Sequence, residues 1–414
     1  MFSSIFSTSD PTAQNFHPVT SLHGPGQQFS PLDDRDLRWA CSGGFVAESQ
    51  IFYQYNEDGT FIMLQVIHAS VGVWFPTIQF VVHVYNPNTK ERIWSSTNVS
   101  GFTADGRSCK ADEFSIVHNP SPTVPGAAES YTITARPSRD VQVSVTVSRT
   151  ADAPGWKLGK DGKSLYGSNP EKPEGYVLHR FWPRTTATGH VVYKGKAITV
   201  DAVGMLVHAI QGMRPNLVAS RWNFAHFQSR DALGGVSAIM MEFTTPRGYG
   251  PKGKDSGNVK VNIGSVVIGG KLVLVTGETL FPGETEKKEG VVVSRATHLD
   301  PEFDKDTSYQ APTRIAFDWK GLSLADSGVE VRAHLETNIG SPHEMKGLVE
   351  KVDFLAEVPG PVKGVVSYVS GVKPFIYQWV NPAKLIIRAP GLVEGDKATV
   401  DGWLNNEATF ISEP

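Results

Sequence analysis

The chain has 414 residues, a net charge of −3 at neutral pH and two cysteines. Charge this close to balance, with no basic run interleaved with aromatics, excludes a surface built to track a phosphate backbone. Two cysteines without a CxxC pair exclude a disulfide framework and a cysteine-rich zinc site, and fit a reducing, cytoplasmic compartment.

Phe2, Ile5 and Phe6 fall at i, i+3 and i+4, so one helical turn gathers them on one side with Ser3, Ser4 and Ser7 on the other. We expect residues 1–7 to be a short amphipathic, membrane-contacting segment. A chain end with no partner is the plainer alternative. No basic region followed by a long apolar core marks a secretory signal. The rest of residues 1–30 is polar and rich in turn formers, and is expected to be a flexible tail.

Period-two runs then dominate. The cleanest sets Val141, Val143, Val145 and Val147 against Gln142, Ser144, Thr146 and Ser148, a strand with one wet face. Comparable runs cover Gly44–Tyr55, Phe61–His68, Ile78–Tyr85, Phe114–His118, Tyr131–Ala135, Tyr176–Phe181 and His190–Val200. Later ones cover Val259–Ile268, Lys271–Thr279, Val291–His298, Arg314–Trp319 and Val329–Glu336. Forty glycines and twenty-seven prolines punctuate them. The pattern predicts an all-β architecture. About eight strands close a barrel that holds one small ligand, and twice that number is present. We therefore expect two tandem β-barrel or sandwich domains, residues 31–215 and 216–414, meeting near Met205–Asn223. One helix is expected over Pro361–Ser370, from the spacing of Val362, Val365, Val366 and Val369.

Met205–Gly250 carries the densest polar chemistry inside strand-like apolar runs. Buried polar groups need partners, either protein or ligand. Strand parity puts Trp222, Phe224, His226 and Gln228 on one face, and Arg221, Asn223, Ala225 and Phe227 on the other. In the next run Met241 and Phe243 share a face, opposite Glu242. The candidate ligand-binding set is Gln211, Arg221, Trp222, Asn223, Phe224, His226, Gln228, Met241 and Phe243. Structural alternatives stand beside it. Arg221 and Glu242 could form a buried ion pair, the aromatics could be core, and Asn223 and Gln211 could serve the backbone. His208 and His226 read as satisfied structural histidines, and Cys109 as a structural cysteine rather than a reactive thiol. No catalytic triad, carboxylate dyad or nucleophile elbow is visible, and no histidine–carboxylate grouping has metal-ligand spacing. No catalytic residue, metal or cofactor is expected.

QGMRPNLVASRWNFAHFQS followed by SAIMMEFTTPRGYG resembles the signature of the fungal survival factor 1 family, as do HASVGVWFPTIQF, RSCKADEFSI, GYVLHRFWPR and KPFIYQWVNP, in order from about Asp33 to Ser412. The resemblance implies two lipocalin-like, calycin-type domains. It also implies non-catalytic carriage of ceramide, a sphingolipid, between endoplasmic reticulum and Golgi, and a link to survival under oxidative stress. Its expected setting is a cytoplasmic monomer in transient peripheral contact with those membranes, with a nuclear pool alongside. The alternatives are a cofactor-free cyclase or hydratase acting on a hydrophobic substrate, and a scaffold in stress signalling.

Overall fold

The computed structural model describes residues 14–21, 29–72, 76–122, 124–250, 257–284, 292–326, 328–353 and 373–412. Phe2, Ile5, Phe6 and the helix expected over Pro361–Ser370 lie outside the described residues. Within them the chain is built almost wholly of antiparallel strands, arranged in two curled sheets that form barrel-like halves.

The first sheet orders its main strands Arg92–Asn98, Thr77–Tyr85, Phe61–Gly72, Gly44–Asn56, Lys196–Gln211, Gly175–Tyr193, Val141–Thr150, Ala127–Ala135, Phe114–Asn119. The second runs Lys271–Leu280, Lys260–Ile268, Val236–Thr244, Arg221–Ser229, Lys397–Phe410, Phe375–Arg388, Glu330–Asn338, Arg314–Leu322, Val293–Leu299. Numbered by order of appearance within its own half, each path is the same: four strands meander outward, and the last strand returns to pair with the first. The sequence carries no visible repeat, so the duplication survives in connectivity alone. Each sheet curls until its far strands meet. Phe80 and Phe114 stack at 5.0 Å in the first half. In the second, the Thr276 and Ser294 hydroxyls bond at 2.8 Å.

The valine alternation does what its period requires. Val141, Val143, Val145 and Val147 are buried, and Gln142 and Ser144 are exposed. The expected strand His190–Val200 instead straddles a hairpin. Lys194 and Gly195 take positive φ, 49° and 80°, and form a two-residue turn between two long strands, Gly175–Tyr193 and Lys196–Gln211. A lysine in the left-handed region gives little sequence warning of such a turn. The flexible-tail expectation also fails at Phe16–His17. That pair forms a strand against Lys163–Tyr166, and Phe16 is fully buried because its ring packs on Tyr166 at 4.9 Å.

Among the described residues three large apolar cores result, beside a small cluster of Val46, Leu178 and Ile210. One fills the first half around Phe52, Tyr131, Trp182 and Leu206. Another fills the second around Phe227, Phe317, Trp319 and Trp379. The third lies in the seam between them, where Tyr53 of the first half meets Phe224 of the second with ring centroids 5.2 Å apart. Aromatic pairs of this kind add about 0.5–1.5 kcal/mol beyond area burial. The seam strands are therefore covered on both faces, by a barrel interior on one side and by the opposite barrel on the other.

Candidate functional site

Along Arg221–Ser229 the two faces separate as parity requires. Ala225 and Phe227 join the interior of the second half, and Phe224 joins the seam. Beside Phe224 the seam opens into a cavity of about 230 Å³. Its apolar wall includes Val177, Ile210, Trp222, Phe224, Met241 and Ile411. Five polar side chains face the same space: Ser49, His179, Gln211, Glu407 and Thr409. They come from strands of both halves, so neither half forms the site alone.

Glu407 and His179 are the titratable members. Burial lifts the Glu407 carboxyl to about 7, against the opposing effect of the Gln378 amide. That amide donates to Glu407 Oε1 at 2.9 Å. Burial lowers His179 to about 4, which keeps the imidazole neutral. The ring lies 6.0 Å from that of Trp222, edge to face. Among the described residues, neither His179 nor the Gln211 side chain has a hydrogen-bond partner, so both keep their bonding capacity for whatever fills the cavity.

Gln211, Trp222, Phe224 and Met241 of the candidate set line this cavity. Five do not. Phe243 packs behind it, 5.4 Å from Trp222 and 6.4 Å from Phe16. Arg221 lies with its guanidinium over Phe410 at 5.4 Å. Asn223 points into the second half, where it donates to Glu242 Oε1 at 2.9 Å and accepts from His298 Nε2 at 2.7 Å. The other Glu242 oxygen takes the Asn262 amide at 2.9 Å and the Ala296 N–H at 3.1 Å. Glu242 is thus held by amides, in place of the ion pair considered with Arg221. His226 is fully buried; its ring lies 5.4 Å from that of Tyr55, and its Nε2 is 2.9 Å from the Gln228 amide nitrogen. Gln228 itself is occupied by Arg184 at 2.7 Å and Ser237 at 2.9 Å.

Sequence reasoning missed His179 and Glu407. Both sit on strands that reach the seam from distant parts of the chain, and only pairing brings them together. A lone carboxylate between Leu404 and Phe410 was the one signal available in the sequence. His208 is only half satisfied: its Nε2 pairs with Glu48 Oε1 at 2.8 Å, and its buried Nδ1 has no partner among the described residues. Burial pushes the thiols of Cys41, to about 11, and Cys109 upward, as befits structural cysteines. Among the described residues no group of three or more histidine, cysteine or carboxylate side chains could hold a metal ion.

The Svf1 family model matches residues 2–412. The chain belongs to the Svf1 family. Relatives in that family include the ceramide-binding protein svf1 of Schizosaccharomyces pombe, 32% identical over 95% of this chain and 93% of that one. The ceramide-binding protein svf1 of Aspergillus fumigatus is 34% identical over 95% and 94%. Solved structures with the same fold include CghA bound to Sch210972, with TM-score 0.52 and 10% identity over 93% of this chain and 98% of that one. Kievitone hydratase from Nectria haematococca has TM-score 0.50 and 11% identity over 98% and 99%. A putative AttH from Nitrosomonas europaea gives 0.51 and 12% over 94% and 99%. The fold is therefore the lipocalin-like, calycin-type double barrel.

Proposed function

We propose that this Svf1-family chain is a non-catalytic carrier of ceramide. The observation that carries the reading is the seam cavity, an apolar chamber with a few unspent polar side chains, in a chain whose relatives are named ceramide-binding proteins. A ceramide head offers two hydroxyls and one amide. Ser49, His179, Gln211, Glu407 and Thr409 supply donors and acceptors of matching number and type.

Size sets the binding mode. At about 230 Å³ the cavity is smaller than the roughly 300–1,000 Å³ of pockets that enclose drug-sized ligands. It holds the head-group end, and the acyl chains extend along the apolar mouth past Ile376 and Ile411. Burying two chains is worth roughly 20 kcal/mol at about 0.8 kcal/mol per methylene, but a bilayer returns the same amount. Selection must therefore come from head-group hydrogen bonds.

Carriage between endoplasmic reticulum and Golgi, cytoplasmic residence and a role in oxidative-stress survival complete the proposal, with Phe2, Ile5 and Phe6 making transient membrane contact. Three apolar side chains give a weak, reversible attachment once helix ordering is subtracted, as a shuttle requires.

The test is lipid extraction and native mass spectrometry of protein purified from a eukaryotic host, joined to ceramide uptake from liposomes. Co-purified sphingolipid and saturable uptake are expected. An empty protein that takes up no ceramide ends this reading.

A second reading, a cofactor-free cyclase or hydratase, is favoured by one observation: His179 and Glu407 are two titratable groups lining one apolar cavity. Turnover of a hydrophobic polyene by purified protein, abolished in Glu407→Gln, would decide for it.

A further inference from the structure

The carboxyl of Glu407 stands among apolar walls with no lysine or arginine among the described residues that line the cavity. It is fixed from both sides. Phe224 and Gln378 are its cross-strand partners on the two flanking strands. Gln378 occupies Oε1. Oε2 has no hydrogen-bond partner among the described residues, although the side chain borders the cavity. Lys373, one residue before the lining Pro374, is exposed and lies 3.9 Å from Asp353. His179, the other titratable lining residue, is neutral and brings no positive charge.

We propose that Glu407 is the specificity-determining residue of the cavity: it admits neutral sphingolipids bearing hydroxyls and an amide, and rejects their phosphorylated counterparts. The inference rests on the carrier reading and adds the class of head group that the site refuses. A ceramide hydroxyl donates to Oε2 and forms a charge-assisted bond, stronger than one to a neutral acceptor. A phosphate in the same place meets two penalties. Among the described lining residues it has no cation to pair with in an apolar chamber. It also stands against a carboxylate; at roughly 5 Å and an effective dielectric of about 20, that repulsion alone is on the order of 100-fold in affinity. Glu407 and the lack of a lysine or arginine among the described lining residues thus act together as a charge filter.

The experiment compares uptake of a fluorescent short-chain ceramide and its 1-phosphate from phosphatidylcholine vesicles, at alkaline pH where Glu407 is ionised. Wild-type protein should prefer ceramide by about 1,000-fold, about 100-fold from the carboxylate and about tenfold from the missing cation. Glu407→Gln keeps the shape and the Gln378 contact. It should retain ceramide within tenfold or so while the preference falls to about tenfold, the share left by the missing cation. Thr409→Lys, on the same face two residues along, should raise phosphate uptake without touching Glu407. Equal uptake of both lipids by the wild type, or an unchanged ratio in a natively folded Glu407→Gln, overturns the filter and leaves the carrier intact. Failure to take up either lipid sinks the carrier reading, and the filter with it.

Discussion

Arg184 reaches across the seam and donates to the Gln228 side-chain oxygen at 2.7 Å, so a cation of the first half is held by acceptors of the second. The same guanidinium bonds the carbonyls of Ser229 at 2.9 Å, Val236 at 3.1 Å and Arg230 at 2.9 Å. It is 5% exposed, and burial lowers it to about 10. No carboxylate among the described residues pairs with it. Four oxygen acceptors compensate the charge, and the Gln228 side-chain oxygen is occupied as a result.

Replacing Arg184 by alanine therefore orphans four acceptors at once. We expect a loss of about 3–5 kcal/mol, the usual consequence of breaking a buried charged network. Urea unfolding followed by tryptophan fluorescence reads it. A midpoint within experimental error of wild type would mean that the seam does not depend on this residue. A transition splitting into two would mean that the halves have come apart.

Asn223 and Gln211 looked alike in the sequence, two amides near one candidate site, but the structure gives them different work. Asn223→Ala should cost about 1–3 kcal/mol of stability, because Glu242 and His298 each lose a buried partner. Ceramide uptake should be unchanged at temperatures where the variant is folded. Gln211→Ala should do the reverse: little loss of stability, and uptake weakened about tenfold, the worth of one or two hydrogen bonds. An uptake defect in Asn223→Ala without destabilisation would return Asn223 to the binding site.

Parity accounts for how much of this was legible. Alternation over Val141–Val147 and Trp222–Gln228 sorted the faces correctly because it depends only on the backbone. It could not say which face borders a cavity, since the Arg221–Ser229 strand is covered on both sides. An apolar–polar alternation marks a wet face only where one face is wet. Phe16 escaped notice because a two-residue strand leaves no period to detect. Glu407 escaped because its meaning comes from Phe224 and His179, which lie far away along the chain.

Filling the cavity separates binding from folding. Ala209 lies on its wall, half-buried. Ala209→Phe places a ring in about 230 Å³ of space. Ceramide uptake should fall by more than tenfold, with a strain cost of about 1–3 kcal/mol. Undiminished uptake by a folded Ala209→Phe protein would move the ligand elsewhere, and the cleft of about 390 Å³ lined by Tyr55, Gln228, Arg230 and Trp403 would be the next place to look.

Deleting Met1–Ser7 should reduce co-sedimentation with liposomes several-fold. Fold and affinity for ceramide in detergent should be unchanged, because the described cavity residues all lie elsewhere in the chain. Equal sedimentation of the full and shortened chains would remove Phe2, Ile5 and Phe6 from the membrane role.

The pH dependence of stability isolates Glu407. Its carboxyl rises from an ordinary 4.5 to about 7 in the folded protein. The folded state then binds more protons than the unfolded one between those values, so this group favours folding below pH 4.5 and ceases to do so as pH rises through 7. His179 works in the opposite sense. Its folded value falls from 6.5 to about 4, so its contribution is lost as pH falls through that window. The two slopes overlap, and a single wild-type curve would hide both. The difference between wild type and Glu407→Gln removes the histidine contribution, since His179 is common to both proteins. That difference should be flat below pH 4.5 and grow in favour of the glutamine variant up to about pH 7. It should then level at no more than about 3 kcal/mol, at 1.36 kcal/mol per pH unit. A difference independent of pH would mean that Glu407 ionises as freely in the cavity as in water, and a carboxylate so well solvated could not filter head groups by charge.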